Sequence, residues 1–385
     1  MSLSRRSFVH TASAGAAGLW IGARGREGSL FGGDNLLAQG QMPSVILSSN
    51  ENPLGCHPDV LASVRGALGE AGRYPFATAE ELTALVAKKH NVKPENVLLG
   101  SGSTQLLRTS AQVFTTKTAG LVAAIPAYEE CADYTRLIGH PITGVKLTSD
   151  LKMDLEALQK ASVGSGLVFF CNPNNPVATA VTGSDTRTYL TTLMKQSPTT
   201  TVLVDEAYFE YGTMAGYETM IPLAVQNPRV VVARTFSKCF GMAGIRIGYA
   251  VGHKDTIAKM AAWDDVGAIS VMALMGAKAA LAVPDQWVKD EQKRNAEART
   301  FTQKWFADRG YTPTDSQTNF MFVNIKRPSK DFREACLRDG VLVARDFPPY
   351  EKTHARISVG TIAEMRKAVQ VFETVLSTPA RAAAA

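Results

Sequence analysis

The chain has 385 residues, 45% of them apolar, with 41 basic and 35 acidic side chains and a formal charge of +6; this suits a globular protein of about two domains at roughly 150 residues each. The basic residues are scattered without aromatic interleaving, which argues against a nucleic-acid partner. The five cysteines (Cys56, Cys131, Cys171, Cys239, Cys336) contain no CxxC pair and have no histidine at ligand spacing, so neither a metal site nor a disulfide framework is indicated.

Near the start, Ser4-Arg5-Arg6-Ser7-Phe8-Val9 precedes a weakly apolar stretch over 11–23. A charged head, a short apolar run and a polar tail make an export signal. The run is shorter than the roughly 20 residues a spanning helix needs, so no permanent membrane span is expected. The order Ser-Arg-Arg-x-Phe-Val resembles a twin-arginine signal. Residues 1–40 are therefore expected to be a signal or disordered segment and the mature protein periplasmic. The alternative is a basic tail on a cytoplasmic protein.

From Pro43 the pattern becomes regular. Val45-Ile46-Leu47 leads into the polar turn Ser49-Asn50-Glu51-Asn52-Pro53. Helices are predicted over 58–70 and 79–90, the second with Glu80 and Glu81 in its first turn, where acids suit the helix dipole. Short apolar runs follow at 97–99, 120–125, 167–171, 201–204, 230–233 and 247–251, bounded by Gly, Pro and Asn. Runs without polar alternation suit a sheet buried on both faces, and most spacers are long enough for crossover helices. The pattern is α/β, with a mainly parallel sheet sandwiched by helices in a large domain, residues 74–283. After Pro284 come a long charged helix over 285–309, a strand over 319–325, a helix over 330–339, strands over 341–345 and 355–359, and a last helix over 362–376. These form a smaller α+β domain, 284–378, which the stretch 41–73 joins, making it discontinuous.

Four motifs fall at the C-terminal ends of predicted strands, the ligand edge of an open α/β sheet. In Gly100-Ser101-Gly102-Ser103-Thr104, glycines permit close backbone approach, and free N–H groups at a helix start bind phosphate. Asn172-Pro173-Asn174-Asn175-Pro176 makes a sharply turned loop that presents amide side chains as donors and acceptors. Asp205-Glu206-Ala207-Tyr208 puts acids at a buried strand end, where they need something positive, with a tyrosine able to reach the same ligand. Thr235-Phe236-Ser237-Lys238, continuing to Arg246, suits a buried amine of lowered pKa beside hydroxyls and a guanidinium that hold a phosphate. Singly, each also reads as a turn, a helix cap or a surface lysine. Together they describe a ligand with a phosphate, a ring nitrogen wanting a carboxylate, a phenolic oxygen wanting donors and an aldehyde wanting a lysine. That ligand is pyridoxal phosphate.

With these residues in hand, the chain from about Ser44 to Leu376 resembles the fold-type I aminotransferases, and within them the histidinol-phosphate aminotransferase branch; Thr235 to Tyr249 carries the likeness best. The resemblance implies the PLP transferase fold type I and ping-pong transfer of an amino group. The donor would be an amino acid or a histidinol-phosphate-like amine, and the acceptor a 2-oxo acid such as 2-oxoglutarate. As catalytic residues it implies Lys238, which bonds to the cofactor's aldehyde carbon and then moves a proton, Asp205, which keeps the ring nitrogen protonated, and Tyr208. Tyr208 and Asn175 would bind the phenolate oxygen. Gly102, Ser103, Thr104, Thr235, Ser237 and Arg246 would cup the phosphate, and Tyr128 would stack on the ring. Tyr74 would reach the neighbouring subunit's phosphate, which implies a homodimer. Toward substrate, the resemblance implies a two-pronged grip by Arg356 on a carboxylate or phosphate, with Arg345 near the same anion. Asn50 and Asn52 would lie in a segment that closes over the substrate. Two departures stand out: Val177-Ala178 replaces the family's usual Thr-Gly, and Leu54 stands where many histidinol-phosphate enzymes have an aromatic residue. Other readings are a decarboxylase of the same fold and a non-catalytic PLP-binding protein.

Overall fold

The computed structural model describes residues 43–263 and 268–378, so the signal expected over 1–40 lies outside the described residues. The chain enters through β1 (Val45–Leu47) and then forms α1 (Pro58–Gly66) and α2 (Phe76–His90). Pro58 opens α1, where its missing N–H removes no helical bond, and His57 accepts from the Asp59 N–H. The helix predicted over 58–70 is α-helical to Gly66 and continues as a 3-10 turn to Glu70. The one predicted from 79 begins at Phe76, and Asn91, left-handed at φ 53°, ends it.

A seven-stranded sheet follows, made of β2 (Val97–Gly100), β3 (Leu121–Ile125), β4 (Ile142–Lys146), β5 (Leu167–Cys171), β6 (Thr201–Asp205), β7 (Val230–Thr235) and β8 (Gly248–Gly252). Its spatial order is β2-β8-β7-β6-β5-β3-β4. Parallel strands of one sheet need long crossovers, supplied by α3 (Ser103–Phe114), α4 (Glu130–Leu137), α5 (Leu155–Ser162), α6 (Gly183–Gln196) and α7 (Ile221–Gln226). The exception is the link 236–247, which holds no helix; there the chain doubles back, and β8 runs antiparallel to both neighbours. That link carries Lys238 and Arg246.

Successive side chains of a strand serve opposite faces. In β5, Leu167, Phe169 and Cys171 enter one core, and Val168 and Phe170 the other. Such strands show unbroken apolar runs, which makes them legible. β4 is not among the predicted strands: it is an edge strand in which Val145 alone is buried, so no apolar run marks it.

After β8 come α8 (Lys254–Ala261), α9 (Val271–Ala282) and the long α10 (Asp285–Ala307). A three-stranded antiparallel sheet joins β9 (Thr312–Pro313), β10 (Phe320–Asn324) and, beyond α11 (Ser329–Arg338) and β11 (Val341–Val343), β12 (His354–Ser358). α12 (Ile362–Ser377) ends the described chain. β1 pairs in parallel with β11, and Val45 and Leu47 share a core with Phe306, Met321, Phe332, Ile357 and Phe372. The helix in the stretch expected to join this domain behaves differently. Val60 and Val64 of α1 pack into the core of the large sheet, against α9, where Gly276 lets the helices approach; a Cβ at Gly276 would lie 2.9 Å from Val64 Cγ2. Among the described residues, no helix is long and apolar enough to cross a membrane.

Candidate active site

β5 and β6 pair with Cys171 opposite Asp205, which sets the 172–176 loop beside the end of β6. Asp205 is 3% exposed. Its Oδ1 accepts from the Ala207 N–H at 3.2 Å, and Cys171 Sγ lies 3.9 Å from Oδ2. Burial raises its pKa to about 7 against the pull of the Ala207 bond. A carboxylate so placed ionises fully only when a cation meets it.

Lys238 provides the amine. Nζ donates to the Ser49 carbonyl at 3.2 Å and stands 5.6 Å from the centre of the Tyr208 ring. Burial, then the charge of Arg356, bring its pKa down to about 8, with Arg246 adding to the effect and Glu51 and Asp205 opposing it. Tyr208 Oη accepts from Asn50 Nδ2 at 3.1 Å, and the ring meets Phe320 edge-on. Burial pushes this phenol's pKa up.

A second set of groups gathers where β2 turns into α3. Gly102, at φ 76°, is the N-cap and offers no side chain to the helix's open N–H groups. Its left-handed φ favours glycine, and a Cβ there would displace the Arg246 guanidinium, 2.5 Å away at Nη2. Arg246 Nη1 bonds the Ala243 carbonyl at 2.8 Å and reaches Ser237 Oγ at 3.5 Å. Thr235 Oγ1 accepts from the Ser237 N–H at 3.0 Å, and the β8 backbone at Gly248 lies so close to the Ser103 amide that a Cβ would be 2.7 Å from it. Thr104 bonds the Tyr128 phenol. A bare helix N-terminus, a guanidinium and hydroxyls form the donor set of a phosphate dianion. With a buried carboxylate and an amine beyond it, these residues fit pyridoxal phosphate.

The remaining predicted residues divide. Arg356, on β12, gives Nη1 to Asn175 Oδ1 and Nη2 to the Ser48 carbonyl, both at 2.7 Å, while its buried Nε has no partner among the described residues. Burial lowers its pKa to about 10. Asn50 is held by Ser358 Oγ, which donates to its Oδ1 at 2.9 Å. Asn52 gives its amide to the Cys239 carbonyl at 2.8 Å and accepts from the Leu54 N–H, so it ties its own segment to the lysine link. Arg345 pairs with Glu129 at 2.7 Å. Tyr74 stands apart, 80% exposed and stacked on Phe76. Sequence reasoning missed the Ser49 carbonyl, Cys171, Glu129 and Phe347. Cys171 was within reach, being the last residue of a predicted strand; a backbone carbonyl and a ring packed across two cores leave no local signal.

A large parallel-stranded sheet with an aspartate at the end of β6 and a lysine on the link after β7 is the large domain of a fold-type I pyridoxal-phosphate enzyme. Residues 43–372 match the family described as aminotransferase class I and II, and the chain belongs to that family. It is 32% identical to a histidinol-phosphate aminotransferase of Symbiobacterium thermophilum, over 86% of this chain and 90% of that one. It is also 32% identical to an aromatic amino acid aminotransferase of Thermobifida fusca, over 82% and 86%. The crystal structure of histidinol-phosphate aminotransferase from Sinorhizobium meliloti in complex with pyridoxal-5'-phosphate superposes with a TM-score of 0.83 at 26% identity, covering 90% of this chain and 94% of that one. The protein is thus a pyridoxal-phosphate-dependent aminotransferase.

Proposed function

We propose that the protein takes an amino group from an amino acid or a histidinol-phosphate-like amine and hands it to a 2-oxo acid, 2-oxoglutarate being the expected acceptor, in two half-reactions at this one site. The observation that carries the reading is the placement of Asp205, buried at the end of β6, on the strand beside β7, whose following link carries Lys238 with Nζ 5.6 Å from the centre of the Tyr208 ring. Pyridoxal phosphate, when bound, supplies an electron sink for charge at the substrate's α-carbon. Gly102, Ser103, Thr104, Thr235, Ser237 and Arg246 would hold its phosphate. The Asp205 carboxylate would keep a proton on the ring nitrogen, and Tyr128 would cover the ring. Tyr208 would donate to the phenolate oxygen; so would the amide of Asn175, whose Oδ1 already accepts from Arg356. Lys238 Nζ would lift and return the α-proton, and its lowered pKa suits that exchange near neutral pH. Arg356 would orient the donor's anionic group, with Nε still free to take part.

Two further readings belong to the proposal. Tyr74, Leu68, Phe76 and Leu54 are all more than half exposed within one short stretch. These exposed apolar side chains, with Tyr74 stacked on Phe76, support a homodimer in which Tyr74 reaches the partner's phosphate cup. The pair Arg5-Arg6 before an apolar run supports twin-arginine export, tested by fractionating cells that express the full chain. The central test is a half-reaction screen. Holoenzyme is mixed with amino donors, and loss of the cofactor's visible band is followed together with formation of the oxo product. At least one donor should discharge the band and a 2-oxo acid should restore it. Release of CO2 with no oxo product would sink amino transfer in favour of decarboxylation.

A further inference from the structure

Arg345, Arg356 and the Glu129 carboxylate meet at the substrate end, and their charges are not equally available. Arg345 and Arg356 lie 4.5 and 4.6 Å from the centre of the same ring, Phe347. Arg356 hydrogen-bonds only neutral groups, Asn175 Oδ1 and the Ser48 carbonyl, and has no carboxylate in salt-bridge contact among the described residues. Arg345 is spoken for: Nη2 meets Glu129 Oε2 at 2.7 Å, and Nη1 bonds the Asp346 carbonyl. Glu129 directly follows Tyr128, which Thr104 ties to the start of α3, so this carboxylate hangs from the cofactor side of the site. Its charge is felt at both Tyr128 and Arg356.

We propose that Glu129 is a specificity-determining residue. It pairs off Arg345, leaves Arg356 as the guanidinium of this end that has no carboxylate partner among the described residues, and so selects donors anchored by a carboxylate over donors anchored by a phosphate monoester. The inference rests on the amino-transfer reading above and narrows its donor to amino acids. A carboxylate brings one charge and two oxygens, matching two N–H groups of a single guanidinium. A phosphate monoester brings a charge of about −1.5 to −2 and three acceptor oxygens. It calls for a second cation, which this site yields only when the Glu129–Arg345 pair opens. The freed carboxylate then faces the phosphate as a like charge, a repulsive element of the kind that sets specificity.

L-Histidine and L-histidinol phosphate make a matched pair of probes, since they share the amine and the imidazole and differ only in the anchoring group. Holoenzyme is mixed with each, and with L-phenylalanine, and the second-order rate constant for loss of the visible band is measured. In the wild type the amino acids should be faster than histidinol phosphate by about tenfold or more. Glu129→Gln should raise the histidinol-phosphate constant about tenfold through the half-saturating concentration, with the amino-acid constants within about threefold of wild type. Glu129→Asp should restore selection. Faster discharge by histidinol phosphate in the wild type overturns the inference and leaves amino transfer standing, as does a Glu129→Gln variant that changes all donors alike. A wild-type holoenzyme that no donor in the panel discharges overturns both.

Discussion

The cofactor end of the site and its substrate end are built on different principles. At the proposed cofactor end each of these groups lies within a few residues of a strand of one sheet: Gly102 after β2, Asn175 after β5, Asp205 and Tyr208 at and beyond β6, Ser237 and Lys238 after β7. At the substrate end the groups come from both cores: Glu129 ahead of α4, Asn50 after β1, Arg345 after β11 and Arg356 within β12. A sheet edge is fixed by backbone register and adapts little, whereas groups that meet between two packed units shift when the units do. The first end therefore holds the chemistry constant, and the second is where a donor can be chosen. Substitutions at the cofactor end should lower kcat for every donor; those at the substrate end should change the ranking of donors.

The largest expected effect is that of Lys238→Ala. In the proposed roles, removing the amine takes away both the covalent anchor and the proton carrier, so kcat should fall by ~10⁴-fold or more for all donors. Cofactor should still bind through the phosphate cup, read as retained PLP after gel filtration. A smaller loss, or one confined to some donors, would break the contrast. Asp205→Ala comes next, with a fall of ~10²–10³-fold in kcat as the ring nitrogen loses its fixed counter-charge. Half-saturation by amino acids should stay within a few-fold, the reverse of the pattern expected for Glu129→Gln.

A pH measurement sharpens the same point. In cofactor-stripped protein the Lys238 pKa is lowered to about 8, by burial first and then by Arg356. The neutral amine attacks the aldehyde, so cofactor capture should be slow below that pH, rise as pH passes through about 8, and level off above it. Stopped-flow growth of the visible band reads the midpoint. A midpoint in the ordinary lysine range would show that the amine faces bulk water and that the crowding around it has no chemical consequence.

The same difference explains what could be read from the sequence. A strand buried on both faces writes itself as an apolar run, and a ligand edge follows each run, so 100–104, 172–176, 205–208 and 235–238 stand out from residue order alone. β4 escapes because its solvent-facing Thr143, Gly144 and Lys146 interrupt the run. The docking of α1 escapes because an apolar stripe on a helix does not name the surface it meets; Val60 packs toward α9. The Glu129–Arg345 pair is out of reach for a similar reason. The two residues are 216 positions apart, and their meeting depends on how the cores close on each other. Arg345 alone reads as a free cation, and its partner changes what it can bind.

The smallest effect is expected at the joint between the two ends, where Val177-Ala178 replaces the usual Thr-Gly. Ala178 is fully buried at φ 68°, with its N–H on the Asn174 carbonyl at 2.7 Å and its carbonyl accepting from the Gln317 N–H at 2.8 Å. Thr314 Oγ1 donates to the Val177 carbonyl at 2.7 Å, so both residues fasten the 172–176 loop to the β9–β10 region. A left-handed alanine costs about 1–2 kcal/mol relative to glycine. Glycine in turn loses ~0.5–1 kcal/mol more conformational entropy on folding, and the buried methyl contributes ~0.8 kcal/mol. These nearly cancel. Ala178→Gly should therefore change stability by less than ~1 kcal/mol, with a Tm within about 2 °C of wild type and donor ranking unchanged. A loss above ~2 kcal/mol in denaturant melts would make the methyl a packing element of the large-sheet core, to which Ala178 belongs. An altered donor ranking would mean that the joint, and with it the angle between the cores, sets which substrates reach Arg356.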